Sequence, residues 1–126
     1  MRQNISSGSP WEDIIGYSRA VKIGNVVEIS GTTASSDNGI VGKNDLYTQT
    51  KFILEKVNSV LAEAGASMQH VVRTRMFLTN ISQWEQAAKA HGQFFKTVKP
   101  VTTMVEVSNL IDADMLIEIE VTAIIS

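Results

Sequence analysis

The segment at residues 116–124 reads LIEIEVTAI, and residues 117–122 within it alternate strictly between apolar and polar side chains. A period of two residues is typical of a β-strand with one buried face, so this segment predicts a strand. The second face of that strand carries two glutamates, and what covers them is the main question that the sequence raises. The apolar side has Ile117, Ile119 and Val121, and the polar side has Glu118, Glu120 and Thr122.

Other segments share the β-branched and aromatic content of strands. Residues 31–44 are instead rich in Gly, Ser, Asn and Thr and predict a long loop. Gly24-Asn25 predicts the turn of a hairpin between the first two strands. A short polar turn separates the last two strands. The predicted strands are residues 17–23, 25–31, 70–79, 101–107 and 116–124.

Residues 45–64 change to a helical period with a single apolar stripe. Asn44 or Asp45 could cap the start of this helix, and Gly65 lies where a C-terminal capping glycine is common. Residues 1–13, which precede the first strand, predict an irregular arm.

A second helix is predicted to open at Ser82 with a capping box, S-x-x-E, and to end before Pro100. The resulting order is β-β-α-β-α-β-β, which predicts an α+β sheet with both helices on one face. The apolar stripe of this helix is predicted to contain Trp84, Ala87, Ala88, His91, Phe94 and Phe95.

Length and composition limit the possible classes of protein. A chain of 126 residues predicts one domain, spanning 1–126. The net charge of −2 gives no electrostatic reason to expect a nucleic-acid partner. The absence of cysteine excludes disulfides and thiolate metal sites within this sequence. No signal peptide or apolar run of membrane-spanning length is present, so we expect a cytoplasmic protein without a membrane partner.

The predicted sheet has an unusual second face. Charges, hydroxyls and Met104 are mixed there, and Arg73 and Arg75 would lie beside the acids if they share that face. Solvent could cover such a face, as it does in many antiparallel sheets. Alternatively, paired charges could lie between subunits, and we favour that interpretation. The residues predicted to face the helices are Val27, Ile29, Val101, Val105, Val107, Ile117, Ile119 and Val121, opposite Glu28, Ser30, Thr102, Met104, Glu106, Glu118, Glu120 and Thr122.

Several motifs, taken in their order along the chain, resemble the Rid family, also called RidA/YjgF or L-PSP endoribonuclease-like. They are GYSRAVKIGNVVEISG, LAEAGAS, VVRTRMFLTN, HGQFF before the proline, and VEVSNL followed by IEIE. This resemblance implies a chorismate-mutase-like fold and a homotrimer with a small-molecule cleft between neighbouring subunits. It also implies hydrolysis of enamines and imines, such as 2-aminoacrylate, to a keto acid and ammonia, with no metal or other cofactor.

The resemblance assigns some site residues and leaves others in doubt. Tyr17 matches the tyrosine of the family's cleft, Ser30-Gly31 matches its S-G, and Glu118 matches a glutamate that positions water or substrate. The deaminase branch has P-A-R-S after the second helix, and that arginine clamps the substrate carboxylate. Thr102 stands at the position of this arginine, so this chain resembles a divergent branch.

Other residues near that motif also differ from the deaminase branch. Met104 replaces a frequent cysteine, and Ala88 replaces a frequent asparagine. Thr102 and Thr103 would offer hydroxyls to a neutral group of the substrate. A hydroxyl lacks the permanent charge and the two-pronged geometry of a guanidinium.

Each candidate residue also has a structural interpretation. Glu118 could be a general base or part of an interface ion pair, whereas Glu120 is better interpreted as the structural partner of an arginine. Arg19 and Arg75 could replace the missing clamp, although an ion pair is the commoner role. His91 could be catalytic or could pack in the core.

Three functions remain open at this point. The first is an imine or enamine hydrolase, and the second is a metabolite-binding trimer without turnover. The third is a ribonuclease, which the net charge and the lack of a Lys/Arg cluster disfavour.

Overall fold

The computed structural model describes residues Met1–Ser126, which form a mixed six-stranded sheet in the order β1-β2-β3-β8-β6-β7. Strands β6 and β7 are parallel, and the other neighbours in the sheet are antiparallel. The strands are β1 (Arg2–Ile5), β2 (Ala20–Ile23), β3 (Val26–Thr32), β4 (Ser35–Ser36), β5 (Gly39–Ile40), β6 (Val71–Leu78), β7 (Val101–Glu106) and β8 (Ile117–Ile124). The helices are α1 (Pro10–Ile15), α2 (Leu46–Glu63) and α3 (Trp84–Phe95).

Helix α2 covers the middle of the sheet and matches the predicted helix closely. Asp45 is its N-cap, because the side chain of Asp45 accepts a hydrogen bond from the Thr48 amide at 3.1 Å. After the helix, Gly65 has a φ of +78°, a left-handed conformation that glycine adopts without steric cost. None of the three helices is both long and apolar enough to cross a membrane. The fully buried apolar residues of α2 are Ile53, Leu54, Val57 and Leu61.

Helix α3 begins differently from the prediction. The side chain of Asn80 accepts hydrogen bonds from both the amide and the hydroxyl of Ser82, and a 3₁₀ turn at Ile81–Gln83 precedes the helix. The predicted capping box at Ser82 is therefore wrong, because Asn80 already uses that hydroxyl. Trp84, predicted in the buried stripe, is exposed, whereas Ala87 and Phe95 are buried.

The first residues are more ordered than the predicted irregular arm. Strand β1 pairs with β2 at the edge of the sheet, and α1 follows with Ser9 as its N-cap. Glu12 on α1 is buried and accepts hydrogen bonds from the Ser6 hydroxyl at 2.8 Å and the Ser7 amide at 3.0 Å. Its hydrogen bonds with Ser7, with smaller contributions from Ser6, hold the pKa of Glu12 below its ordinary value.

The orientation of β7 corrects the predicted assignment of sheet faces. β6 lies between β7 and β8, so the last two strands are not neighbours. The parallel register pairs Thr74 with Thr102, and this pairing turns Thr102 and Met104 toward the helices. Val101 and Val105, predicted to face the helices, are instead 57% and 41% exposed. The prediction failed because both faces of the edge strand β7 carry a mixture of apolar and polar side chains. Alternation therefore does not indicate which of its faces contacts the helices.

The other central strands face the helices as predicted. Along β3 and β8, buried apolar residues alternate with more accessible residues. The buried residues form one core with α2 and α3. Glu118 and Glu120 therefore lie on the face away from the helices. The confirmed helix-facing residues are Val27, Ile29, Ile117, Ile119 and Val121.

Candidate functional site

A β-bulge in β3 creates the candidate site. The pairing of β3 with β8 shifts between Ile29 and Thr32, so that two residues, Ser30 and Gly31, stand opposite one residue of β8. Bulges of this kind re-aim side chains and are common beside functional sites. Here the bulge brings the backbone of Gly31 beneath the side chain of Glu118.

Gly31 provides the surface on which the carboxyl group of Glu118 lies. A Cβ atom at Gly31 would overlap Oε2 of Glu118 and come within 2.9 Å of its Cδ. Only glycine leaves room for the carboxyl group in this position. An open groove of about 270 Å³ begins there, and it is lined by Gly31, Phe77, Val107, Asn109, Leu110, Glu118 and Glu120.

The carboxyl group of Glu118 has no partner within the chain. It accepts no hydrogen bond, and neither of the two ion pairs, Lys43–Asp114 and Arg75–Glu120, includes it. Partial burial raises the pKa of Glu118; Arg19 opposes this shift, and the charge of Glu120 adds to it. A partly desolvated carboxylate of raised basicity can accept a proton from water or orient a water molecule.

Arg19 lies behind the bulge. Its guanidinium donates hydrogen bonds to the Gly31 carbonyl at 2.9 Å and to the Thr32 hydroxyl at 3.0 Å, and it lies 5.6 Å from the centre of the Tyr17 ring. Arg19 therefore supports the backbone beneath Glu118, and its positive charge counteracts the rise in the pKa of that carboxyl group. Both acceptors are bound by Nη1 of this guanidinium, which gives Arg19 a structural role within the chain.

Tyr17 and Ser30 adjoin the site without reaching the groove. Tyr17 lies between α1 and β2 rather than on the predicted strand, and it lines a separate depression of about 350 Å³. The Ser30 hydroxyl donates a hydrogen bond to the Ser18 carbonyl at 2.6 Å. Ser30 therefore fastens the bulge to the segment before β2, and its proton is not directed toward Glu118.

Arg75 pairs with Glu120 on the same face as Glu118. The two residues are cross-strand neighbours in the β6–β8 register, and their charged atoms lie 3.8 Å apart. This contact confirms the prediction that Glu120 is the partner of an arginine. Thr103 stands beside Arg75 on the next strand and shares this face.

The remaining predicted site residues lie elsewhere in the chain. Thr102, Met104 and His91 are on the helix side of the sheet near its β7 edge, whereas Glu118 is on the other face. One chain therefore does not bring these residues to the groove. The structure also holds no group of three or more His, Cys, Asp or Glu side chains that could bind a metal ion.

Sequence reasoning missed the apolar residues of the groove. Phe77 could have been found, because it lies two positions from Arg75 on a predicted strand and so shares its face. Asn109 and Leu110 belong to the VEVSNL motif of the family resemblance, but they lie in the segment 107–116 between β7 and β8, where no strand period assigns them to a face. Buried Gln49 holds this segment with hydrogen bonds to the Asp114 carbonyl at 2.8 Å and from the Leu116 amide at 2.9 Å.

Comparison with known proteins identifies the family. Residues 9–125 match the profile of the endoribonuclease L-PSP family. The chain belongs to this family. Its relatives include proteins named as RutC and YjgF family members, which confirms the predicted Rid membership.

Individual relatives of this L-PSP chain are similar over most of its length. An uncharacterised protein of Streptomyces coelicolor is 37% identical over 121 residues, which are 96% of this chain and 90% of that protein. The 3-aminoacrylate deaminase RutC of Acinetobacter baylyi is 30% identical over 104 residues, 82% of each protein. The crystal structure of Rv2704 from Mycobacterium tuberculosis, a YjgF family member, has 43% identity and a TM-score of 0.90, covering 99% of this chain and 100% of that one. The predicted α+β fold is thereby confirmed.

Proposed function

We propose that this chain is a small-molecule hydrolase that adds water to the C=N bond of an imine, or of the enamine in equilibrium with it, and releases ammonia. The observation that carries the proposal is the unpaired carboxyl group of Glu118, held over Gly31 in an open groove with a raised pKa. The similarity to a protein named 3-aminoacrylate deaminase supports this class of reaction.

The proposed reaction uses Glu118 twice. Its carboxylate takes a proton from water as the water oxygen bonds to the imine carbon and the nitrogen takes up a proton from solvent. The protonated Glu118 then returns its proton to the amine nitrogen, the C–N bond breaks, and ammonia leaves. The hydroxyl loses its proton to solvent as the carbonyl product forms, so that the overall change is imine plus water to carbonyl plus ammonia.

We also propose that the active form is a homotrimer with its clefts between subunits. The face that carries Glu118 also exposes apolar side chains, of which Val101 and Val105 are the largest contributors on β7. Exposed apolar residues mixed with a charge pair favour contact with another protein surface. Sedimentation at micromolar concentration should give about three times the 13.8 kDa chain mass, and a 13.8 kDa species would contradict the trimer.

A metabolite-binding protein without turnover is the second candidate. It is favoured by Thr102, a neutral residue at the position of the deaminase clamp, and by the engagement of Arg19 and Arg75 within the chain. A ribonuclease is the weakest candidate, since a net charge of −2 provides little attraction for phosphates.

The deciding experiment generates 2-aminoacrylate or its neutral amide, 2-aminoacrylamide, in situ and measures ammonia release from each with and without the protein. Wild type should accelerate release, and Glu118→Gln should lower kcat/KM by roughly 10²–10⁴. Glu120→Gln is the matched control on the same strand face and should retain most activity. The proposed hydrolase is wrong if wild type gives no acceleration or if Glu118→Gln is as active as Glu120→Gln.

The pH profile gives an independent check on the role of Glu118. The base must be ionised to accept a proton, and burial raises its pKa above the ordinary 4.5. The pH at which kcat/KM is half lost on acidification should therefore lie above 4.5. The residual activity of Glu118→Gln should not show this loss.

A further inference from the structure

Three polar side chains form a continuous link between helix α3 and the edge of the sheet. Nε2 of His91 lies 2.9 Å from the Thr74 hydroxyl, which lies 2.9 Å from the Thr102 hydroxyl. The Thr102 hydroxyl is also 3.3 Å from the Pro100 carbonyl. Thr74 is fully buried, whereas Thr102 is exposed on the edge strand β7. The link therefore runs from the interior to a surface hydroxyl.

Proton counting shows that this link has a direction. Each threonine hydroxyl has one proton, so Thr74 can donate to His91 or to Thr102 but not to both. If Nε2 accepts, Thr74 donates to it, Thr102 donates to Thr74, and the free lone pairs of Thr102 can only accept from a ligand. If Nε2 donates, Thr74 donates to Thr102, and the proton of Thr102 is available to an acceptor.

Within the chain, the Pro100 carbonyl competes only weakly with a ligand for the available proton of Thr102. At 3.3 Å, its contact with the Pro100 carbonyl is longer than an ordinary hydroxyl hydrogen bond. A ligand oxygen at a normal distance would replace this contact readily.

The other nitrogen of His91 can respond to its surroundings. Nδ1 makes no hydrogen bond within the chain and is not enclosed. The ring lies 4.7 Å from the Phe95 ring, and burial lowers the pKa of His91 with no contribution from a charged side chain. The ring is therefore neutral near pH 7, and its two tautomers correspond to the two directions of the link.

We propose that His91 and Thr74 are positioning residues that set the hydrogen-bond direction of Thr102, and that Thr102 anchors a neutral carbonyl or amide group of the ligand. The link contains no charge to balance a carboxylate, and a desolvated carboxylate without a charged partner is costly. A hydroxyl that can either donate or accept a hydrogen bond suits an amide, which has both a donor and an acceptor. The anchoring role rests on the proposed function: within one chain Thr102 lies on the opposite side of the sheet from Glu118, so it would reach a groove only as the Thr102 of a neighbouring subunit in the proposed trimer.

The direction of the link is tested by ¹⁵N NMR of the His91 ring. Because the link is proposed to be reversible, free wild type should contain both His91 tautomers. In Thr102→Val, the only remaining acceptor for the Thr74 proton is Nε2, so the population should shift toward the tautomer with its proton on Nδ1. Thr74→Ser should preserve the wild-type spectrum, because it retains the hydroxyl. Thr103→Val, a neighbour on the opposite face, is the matched control and should also leave His91 unchanged. Identical His91 ¹⁵N shifts in Thr102→Val and wild type would overturn the proposal.

The anchoring role is tested with pyruvamide and pyruvate, which share a skeleton and differ in one neutral or charged group. Wild type should bind pyruvamide more tightly in NMR titrations, and Thr102→Val should weaken this binding by about 5-fold, as expected for one hydrogen bond. Tighter binding of pyruvate, or no saturable binding of pyruvamide, would refute the anchor.

The two proposals can fail separately. If imine hydrolysis is absent but Thr102→Val changes the His91 tautomer and pyruvamide binding, the hydrolase is wrong and the link stands. If hydrolysis depends on Glu118 but Thr102→Val leaves His91 unchanged, the link is wrong and the hydrolase stands.

Discussion

Two regions of the sheet carry the polar groups discussed above: the groove at the β3–β8 bulge and the β6–β7 edge. They differ in whether those groups have hydrogen-bond partners within the chain. In the groove, the carboxyl group of Glu118 is partly buried and has no partner. At the edge, the link through Thr74 is uncharged, and its hydroxyls have partners. An unpartnered charge is available for chemistry or for a ligand, whereas a satisfied neutral link is suited to holding a group in place.

The two regions also depend on different parts of the chain. The groove exists because the backbone of β3 bulges and a residue without a side chain stands at Gly31. The edge depends on hydroxyl groups that the parallel register brings together. We therefore expect added volume to damage the first region and the loss of single oxygen atoms to damage the second.

Gly31→Ala should have the largest effect of the changes that separate these regions. The added Cβ displaces the Glu118 carboxyl group, and a displacement of about 1 Å can lower turnover roughly 10²-fold. Stability should change little, because the displaced group is the end of a flexible side chain. The measurements are kcat/KM for imine hydrolysis and thermal melting.

Gly92→Ala on α3 is the matched control, since a Cβ there meets no atom within 4 Å. It should leave turnover unchanged and raise stability by about 0.5–1 kcal/mol. Full activity in Gly31→Ala would mean that the position of Glu118 over the bulge does not matter for turnover.

Thr74→Val should destabilise the edge region by about 1–3 kcal/mol in urea unfolding. Valine has a similar shape, but His91 and Thr102 lose their partner, and an unsatisfied group in a buried setting is costly. Thr103→Val on the exposed face should change the free energy of unfolding by less than about 0.5 kcal/mol. Equal effects of the two substitutions would indicate that the link contributes nothing to folding.

The stability difference between wild type and Glu118→Gln should depend on pH, because the Glu118 carboxyl group titrates and the glutamine does not. A raised pKa in the folded state means that folding disfavours the charged carboxylate. Wild type therefore loses stability as the pH rises from about the ordinary 4.5 through the raised value, and the glutamine variant does not. Urea unfolding at pH 4 should show the smaller difference, and at pH 7 the variant should be at least as stable as wild type. A variant that is less stable only at pH 7 would contradict the pKa shift.

Glu120→Gln should have the smallest effect, at about 0–1 kcal/mol, because the Arg75–Glu120 pair is 45% and 43% exposed. A double-mutant cycle with Arg75→Gln measures the coupling between the two charges. A coupling of about 3–5 kcal/mol would instead show that the pair is desolvated, as it would be within an assembly. The same cycle therefore sharpens the trimer proposal.

The sequence alone determined most of the fold and the central residue of the candidate site. Strict alternation in β8 put Glu118 and Glu120 on one face, and Asp45 and Gly65 marked the two ends of α2. These features are encoded locally, in the period of apolar residues and in side chains that bond to the nearest backbone. Local signals predicted the start of α3 wrongly, because both Asn80 and Ser82 are residue types that cap helices and only Asn80 acts as a cap there.

Only the tertiary structure decided which polar groups meet. It turned Thr102 toward Thr74 and His91, paired Arg75 with Glu120, and left Glu118 without a partner. Strand register, a bulge and the path of a loop determine these contacts. They join residues far apart in the chain, and a shift of one residue in register moves every side chain to the other face.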